Sequence, residues 1–204
     1  MSQAATLVTV LRHGEVAGPA HVFRGRGDAS LSARGIEQMR GVVAAMQPRF
    51  DAVASSPLQR CRSFAEAFAA ERGLACRILD GMREMDFGAW EGLTGAQAAE
   101  RDAAAYDRFC ARADSAAAPG GETLGAFRRR VLAAWADWLA GAEGGHRLLV
   151  THAGAMRVLL QQVLDLPASA FYRVALPEAA HFQVSLLACE APILLRLNAC
   201  ADSF

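Results

Sequence analysis

The sequence predicts an α/β fold with a mostly parallel central sheet and helices on both faces. Short apolar runs rich in β-branched residues alternate with longer segments in which apolar residues recur every three or four positions. The short runs have the length of buried strands, and the longer segments have the period of amphipathic helices. Strands separated by helices usually pair in parallel, because each helix returns the chain across one face of the sheet.

The composition excludes several classes of protein. Hydrophobic residues make up 53% of the 204 residues, enough for a sizeable core, so we take residues 1–204 as one domain. The 21 basic and 21 acidic residues balance, which argues against nucleic acid or an anionic membrane as a partner. No apolar run approaches the roughly 20 residues of a membrane-spanning helix. The five cysteines are widely spaced and lack a C-x-x-C pair, which disfavours a disulfide framework and fits a reducing cytoplasm.

The first predicted strand, residues 7–11, is fully apolar, as is typical of a central strand. A helix is predicted at residues 31–46, with Ser32 as its N-cap. The apolar spacing of this helix predicts that four residues form its buried stripe, namely Ile36, Met39, Val43 and Met46.

The next unit is a strand at residues 50–56 followed by a helix at residues 56–73. Ser56 is the predicted N-cap of this helix, and Pro57 lies in its first turn. Its buried stripe is predicted to consist of Leu58, Cys61, Phe64, Ala65 and Phe68. A third strand is predicted at residues 75–79.

The second half of the chain begins with a glycine-rich bend and an alanine-rich helical stretch. A longer helix at residues 123–141 has a predicted buried stripe of Leu124, Phe127, Val131, Trp135 and Trp138. An apolar strand at residues 146–152 precedes a helix at residues 155–166. The last two strands, 182–188 and 192–198, alternate with period two and are predicted to pair as a hairpin at a sheet edge.

Two of the predicted strands end in a histidine. His13 follows the first strand in "LRHG", and His152 closes the strand at residues 146–152 in "VTHAG". Open α/β sheets bind ligands at the carboxyl ends of their strands. If these strands are neighbours, we therefore expect both imidazoles to face one pocket. Taken alone, each histidine could equally be a polar strand end with a satisfied hydrogen bond.

Two arginines accompany the histidines. Arg12 adjoins His13, and Arg60 lies in the first predicted turn of the helix after "SSP". Guanidinium and imidazole groups together can hold a dianionic tetrahedral group. A helix N-terminus favours anions, so an arginine there is better placed when phosphate is bound. The alternatives are a surface side chain for Arg60 and a salt bridge from Arg12 to Glu15.

Four blocks occur in the order "LRHGE", "SSPLQRC", "REMDFGAWEG" and "THAGAMR". They resemble the motifs of the histidine phosphatase superfamily, which has a phosphoglycerate mutase-like fold, and the similarity extends from about residue 7 to residue 157. The chain is most similar to bacterial α-ribazole phosphatases and related small phosphatases. The resemblance implies a hydrolase that forms a phosphohistidine, requires no metal or other cofactor, and acts on a small phosphorylated metabolite, with α-ribazole 5′-phosphate as one candidate.

The resemblance implies that His13 is the nucleophile and that Arg12, Arg60 and His152 surround the phosphate. A nucleophilic imidazole must be neutral, because a protonated nitrogen has no lone pair. The two neighbouring guanidinium groups should lower the pKa of His13 and favour its neutral form.

Proton transfer requires a carboxyl group, which protonates the leaving alkoxide and later activates water. Glu84 in "REMDFG" matches the position of the acid in the superfamily. Glu15 is a rival because it lies two residues after His13, and Asp86 is a weaker one. For Glu84 the structural alternatives are a solvated loop carboxylate or a partner of Arg83.

Other matched positions are assigned to substrate binding. Arg24 and Gly25 match a superfamily stretch at the substrate mouth, and Ala153 retains a backbone N–H where relatives commonly have glycine. Glu122 in "GGET" is expected to order a loop or orient an arginine. His21 is the remaining histidine expected nearest the substrate, and the loop at residues 113–122 is expected to influence specificity.

Departures from the pattern favour hydrolysis over mutase activity. Val16 and Pro19 replace residues that bind phosphate in many relatives, and the interval from Glu84 to His152 is short for a mutase. Phosphoglycerate mutase, a two-metal phosphatase and a non-catalytic phosphate-binding module remain alternatives. The sequence does not define the oligomeric state, although the terminal hairpin leaves a sheet edge able to pair.

Overall fold

A computed structural model describes residues 4–46, 49–111, 114–142, 144–187 and 190–198. The strands are β1 (Thr6–Arg12), β2 (Ala52–Ser55), β3 (Cys76–Ile78), β4 (His146–Thr151), β5 (His181–Leu186) and β6 (Ile193–Leu197). The helices are α1 (Ala33–Met46), α2 (Gln59–Ala70), α3 (Gly95–Arg101), α4 (Ala103–Cys110), α5 (Leu124–Leu139) and α6 (Ala153–Leu164). Single 3₁₀ turns lie at Asp80–Met82, Gly88–Trp90 and Ala168–Ala170.

The strands form one sheet in the order β3-β2-β4-β1-β5-β6. β1, β2, β3 and β4 are parallel, whereas β5 is antiparallel to both of its neighbours, β1 and β6, so the predicted mostly parallel sheet is confirmed. The terminal hairpin is also confirmed, with β6 at the edge. β1 and β4 are direct neighbours, and Arg12 is in register with Thr151. The residues that follow these strands, His13 and His152, therefore emerge side by side.

Helices cover both faces of the sheet. Leu148 and Val150 of β4 pack into a hydrophobic cluster with α1 and α2. Leu149, which points to the opposite face, packs into a second cluster with α5 and α6. This alternation is the period of a strand that is buried on both sides.

The face covered by α1 and α2 agrees with the predicted stripes except at Ile36, which is exposed, and at Met46, which is only partly buried. All five predicted α2 residues are buried, as are Met39 and Val43 of α1. Ile36 is 40% exposed, and Gly35 is buried instead. The reason is a close approach of main chains: a Cβ on Gly35 would lie 2.1 Å from the carbonyl oxygen of Glu15. Helix α1 therefore turns its glycine, not its isoleucine, toward the loop that follows β1.

The helix starts differ in how well they were predicted. Ser32 caps α1 as expected, because its Oγ accepts the N–H of Gly35 at 3.0 Å. The N-cap predicted at Ser56 is wrong, since α2 begins at Gln59 and the Gln59 N–H donates to Asp28 at 2.6 Å. The hydroxyl of Ser56 contacts His152 instead, as described below.

The other face contains an aromatic cluster. The predicted α5 stripe is confirmed, because all five of its residues are buried. Trp90 is fully packed, with the rings of Phe109 and Phe23 centred 5.3 and 5.5 Å away.

The alanine-rich stretch forms two helices, α3 and α4, which separate at Asp102. This residue ends α3 and caps α4 by accepting the N–H of Ala105.

The described cysteines Cys61, Cys76 and Cys110 are free thiols. Cys189 and Cys200, together with Ala113 at the start of the predicted specificity loop, lie outside the described residues. Within the part of the chain that the structure describes, no helix combines the length and apolar character needed to cross a membrane.

Two glycines of α1 provide a matched test of the contact with Glu15. Gly35→Ala adds a methyl group against the main chain, so we expect the free energy of unfolding to fall by about 2 kcal/mol. No described atom outside the α1 main chain lies within 4 Å of the Cβ position of Gly41. Gly41→Ala should raise the free energy of unfolding by about 0.5–1 kcal/mol, because alanine favours a helix. Urea unfolding measures both, and equal effects would contradict the contact.

Candidate active site

A cavity of about 880 Å³ lies at the carboxyl end of β1. The loop between β1 and α1 forms much of its wall. Its polar and charged lining residues are Arg12, His13, Glu15, His21, Arg24, Ser32, Glu84 and Glu178. The aromatic residues at the same cavity are Phe23, Phe87 and Tyr172. This is the edge of an open α/β sheet at which ligands bind.

The two histidines are brought together as the strand ends predict. The ring centroids of His13 and His152 lie 5.3 Å apart, with an angle of 63° between the ring planes. His13 lines the cavity and is almost fully buried, whereas His152 is 0% exposed. The pair therefore has one member at the cavity surface and one beneath it.

The protonation state of His13 follows from its surroundings. Burial, followed by the charges of Arg12 and Arg60, lowers the pKa of His13 to about 3. Its Nδ1 lies 2.8 Å from the carbonyl oxygen of Gly14. A carbonyl oxygen only accepts, so Nδ1 carries the proton and Nε2 carries the lone pair. The ring is neutral at physiological pH.

His152 is held at both ring nitrogens. Nδ1 accepts a hydrogen bond from Arg60 Nε at 3.2 Å, so the ring proton lies on Nε2, which donates to Ser56 Oγ at 2.7 Å. Burial, with the charge of Arg60, holds the pKa of His152 well below its usual range. The thiol of Cys61 lies 3.6 Å from both ring nitrogens, and burial raises its pKa.

Arg60 is a buried cation and not the surface side chain of the alternative reading. It is 0% exposed. Its Nη1 donates to the carbonyl of Gly27 and its Nη2 to that of Gly25, each at 2.7 Å. In the described part of the chain, neither Arg60 nor His152 belongs to the cavity lining. The structure thus places these two predicted phosphate contacts in a layer beneath the cavity, because loop carbonyls and Ser56 occupy their polar groups.

Arg12 lines the cavity and is bound on one side. Its Nη1 donates to the carbonyl of Leu176 at 2.6 Å, while its buried Nε has no hydrogen-bond partner among the described residues. The suggested salt bridge to Glu15 is not formed within the described structure. Glu15 instead accepts a hydrogen bond from Ser32 Oγ at 2.7 Å and lies 3.8 Å from Arg34. The positive charge of Arg12 at the cavity suits an anion.

Glu84 is the carboxylate most firmly fixed at the cavity. Its Oε2 accepts the N–H of Gly154 and its Oε1 that of Met85, both at 2.9 Å. A Cβ on Gly154 would lie 2.1 Å from Glu84 Oε1, so only glycine allows this approach. Asp86, the weaker rival, accepts the N–H of Gly88 and faces Arg26 at 3.5 Å.

An ion pair between Arg130 and Glu122 supports the segment that carries Glu84. Arg130 donates to the carbonyls of Arg83 and Glu84 at 2.8 and 2.9 Å, and it pairs with Glu122. Glu122 also accepts the N–H of Asp86 at 2.9 Å. Glu122 thus orients an arginine and orders a loop, as expected, but sequence reasoning missed the part of Arg130.

The residues assigned to substrate binding have different positions. Arg24 lines the cavity and donates to the carbonyls of Ala17 and Pro19. Gly25 is instead packed against Glu91, where a Cβ would lie 2.1 Å from Oε1. Ala153 is the first residue of α6. Among the described residues, neither Gly25 nor Ala153 lines the cavity.

Sequence reasoning also missed Ser56 and Glu91. Ser56 lies in the block "SSPLQRC", where its position before Pro57 predicts a helix cap and not a contact with His152. Glu91 lies in the block "REMDFGAWEG" and received no role. In the described ranges, no group of three or more His, Cys, Asp or Glu side chains is arranged to hold a metal ion.

The mixed sheet and the paired imidazoles at its edge define the phosphoglycerate mutase-like class of α/β proteins. The chain belongs to the histidine phosphatase superfamily (branch 1), which matches residues 8–199. A bifunctional protein of Mycobacterium tuberculosis is 36% identical over 180 residues, covering 86% of this chain and 49% of that protein. The chain thus spans about half the length of the first curated relatives it matches.

Two further comparisons cover nearly the whole of both chains. The adenosylcobalamin/α-ribazole phosphatase of Salmonella typhimurium is 27% identical over 190 residues, covering 92% of this chain and 93% of the relative. The crystal structure of the α-ribazole phosphatase from Shigella flexneri has a TM-score of 0.82 at 26% identity, covering 96% and 97%. The resemblance to α-ribazole phosphatases is therefore confirmed.

The lowered pKa of His13 predicts a specific acid sensitivity. Below pH 6.5 the unfolded chain protonates this imidazole, whereas the folded protein resists protonation down to about pH 3. The contribution of neutral His13 to the free energy of unfolding is therefore complete above pH 6.5. It declines as pH falls toward 3, by up to about 1.4 kcal/mol per pH unit. We expect His13→Asn to lose less stability than the wild type between pH 6.5 and 4.5. Urea unfolding across this range measures it, and parallel curves would contradict the assignment.

Proposed function

We propose that this chain is a phosphomonoester hydrolase that works without a metal ion and transfers the phosphoryl group through His13. The observation that carries the proposal is the neutral His13 ring at the cavity. With Nδ1–H donated to Gly14 at 2.8 Å, the lone pair lies on Nε2. A pKa of about 3 maintains this state throughout the physiological range. A neutral nitrogen with a fixed lone pair is what attack on phosphorus requires.

In the first step, Nε2 of His13 attacks phosphorus, forming an N–P bond while the ester P–O bond breaks. The Gly14 carbonyl stabilises the positive charge that develops on the ring by accepting Nδ1–H. Arg12, which lines the cavity, supplies positive charge to the phosphate oxygens. Arg60 and His152 act from beneath, where the guanidinium charge raises the positive potential in a dry environment.

Glu84 serves as acid and then as base. It gives a proton to the leaving alkoxide, and it recovers one from the water that attacks the phosphohistidine. The second step breaks the N–P bond, releases inorganic phosphate and restores neutral His13. Glu84 is favoured over Glu15 because two backbone N–H groups fix it at the cavity, whereas Glu15 is bound to Ser32.

The substrate is proposed to be a small phosphorylated metabolite, with α-ribazole 5′-phosphate as the leading candidate. A cavity of about 880 Å³ exceeds the needs of phosphate alone and suits a ligand with a sizeable alcohol part. Phe23, Phe87 and Tyr172 offer apolar surface to that part. Arg24 is proposed to assist binding from the cavity lining. Gly25 and Ala153, which lie outside the described lining, are proposed to act indirectly, Gly25 through its hydrogen bond with Arg60. Residues 1–204 are proposed to form one domain, which the match over residues 8–199 supports.

Purified protein should hydrolyse p-nitrophenyl phosphate in the presence of EDTA, and His13→Ala should abolish the activity. Stopping the wild-type reaction in base should trap protein-bound phosphate that is stable to base and labile to acid. His146→Gln is the matched control, since His146 lies at the opposite end of β4 and should leave the rate unchanged.

Other results would identify the alternatives. Loss of activity on chelation with recovery on adding a divalent ion would indicate a two-metal phosphatase. Binding of phosphate without turnover would indicate a binding module. Interconversion of 2- and 3-phosphoglycerate would indicate a mutase.

A pair of variants separates Glu84 from Glu15. p-Nitrophenolate needs no proton to leave, so Glu84→Gln should still release one equivalent in a burst. Its steady-state turnover should then be slower by about 10²–10⁴-fold, because the attacking water lacks a base. Glu15→Gln should show ordinary turnover without a burst. Stopped-flow measurement decides between them, and a burst confined to Glu15→Gln would exchange the roles.

A further inference from the structure

Glu91 occupies a ring of backbone donors outside the cavity. Its Oε1 accepts the N–H groups of Arg26 and Phe87 at 2.9 and 3.2 Å. Its Oε2 accepts those of Gly25 and Gly27 at 3.1 and 3.3 Å. Four N–H groups around one carboxylate form an anion-binding arrangement of the kind that can hold a phosphate. Here the protein's own side chain fills it.

The opposite side of the same peptide segment faces Arg60. The carbonyls of Gly25 and Gly27 each accept a guanidinium hydrogen bond at 2.7 Å, and that of Arg24 accepts a longer one at 3.4 Å. The third arm of Arg60, Nε, donates to His152. Two peptide groups of this segment, 24–25 and 25–26, therefore have their N–H ends at the carboxylate and their C=O ends at the guanidinium.

We propose that Glu91 is a positioning residue that fixes the Arg60 guanidinium and thereby sets the affinity of the site for phosphate, an inference that rests on the proposed function. Glu91 does not line the cavity within the described residues, so it acts through Arg60. Two physical effects combine. The carboxylate fixes the loop that carries all three carbonyls. Its charge also polarises the two peptide groups that it shares with Arg60, so that the carbonyls of Arg24 and Gly25 bind the guanidinium more strongly.

Two neighbours make this position rigid. Glu91 directly follows Trp90, which is 1% exposed at the centre of the aromatic cluster. On the other side, a Cβ on Gly25 would lie 2.1 Å from Glu91 Oε1. The carboxylate is thus anchored next to a packed ring and enclosed by a loop that has glycine at positions 25 and 27.

The test uses inorganic phosphate as the probe, with its inhibition constant in p-nitrophenyl phosphate hydrolysis as the readout. Glu91→Gln keeps the shape but replaces one acceptor oxygen by an amide that cannot accept a hydrogen bond. We expect the inhibition constant to rise about tenfold. Glu66→Gln is the matched control, because its carboxylate pairs with Arg62 on the surface of α2 and should change the constant by less than about twofold.

A double-mutant cycle tests whether the effect passes through Arg60. Lysine cannot bridge both loop carbonyls, so in an Arg60→Lys background Glu91→Gln should have less than about a twofold effect. The full tenfold effect in that background would overturn the proposal in favour of general loop damage. NMR of the Arg60 Nε–H group gives a readout that needs no Arg60 variant. Glu91→Gln should speed the exchange of this proton with solvent. An unchanged exchange rate would also overturn the proposal.

The outcomes distinguish this role from the proposed function. A wild-type protein that neither hydrolyses the ester nor binds phosphate would refute the function. An active wild type with the same inhibition constant in Glu91→Gln would refute only the role of Glu91.

Discussion

A buried guanidinium sets the character of this site. Burial of a cation is costly unless its donors are all satisfied, and Arg60 meets that demand with two loop carbonyls and an imidazole. Since these partners are neutral, its positive charge is available to the surrounding groups. That charge and burial together keep both histidines unprotonated. It also provides a region of positive potential beneath the cavity, to which a dianion is attracted.

The site is supported from outside as much as from within. Glu91 holds the loop that binds Arg60, and Glu122 with Arg130 holds the segment that carries Glu84. Groups fixed in this way need little reorganisation when a charged ligand arrives, which is where much of the benefit of a preorganised site arises. Of these three carboxylates, Glu84 lines the cavity, whereas Glu91 and Glu122 hold the surrounding chain segments from outside it.

The sequence was informative where local pattern determines structure. Apolar runs located all six strands, and helical spacing identified the buried stripes of α2 and α5. The adjacency of His13 and His152 followed from two strands that end alike. Features that depend on main-chain approach were not foreseeable in this way. Ile36 is exposed because Gly35 meets Glu15, and Ser56 binds His152 because α2 starts later than its cap signal suggests. Likewise, Arg60 lies under the cavity because loop carbonyls accept its hydrogen bonds, and His152 lies there because Arg60 and Ser56 hold its ring. Residue type does not encode the direction in which these groups point.

The position of Cys61 has a practical consequence. Its thiol is enclosed against His152 and is poorly ionised, so a sulfhydryl reagent can reach it only when α2 and the start of α6 separate transiently. The exposed thiol of Cys110 reacts without such a movement. The rate of labelling at Cys61 therefore measures how often the layer that contains Arg60 and His152 opens. A ligand that stabilises this layer would slow the labelling. Labelling of Cys61 thus reports local opening of the structure next to His152.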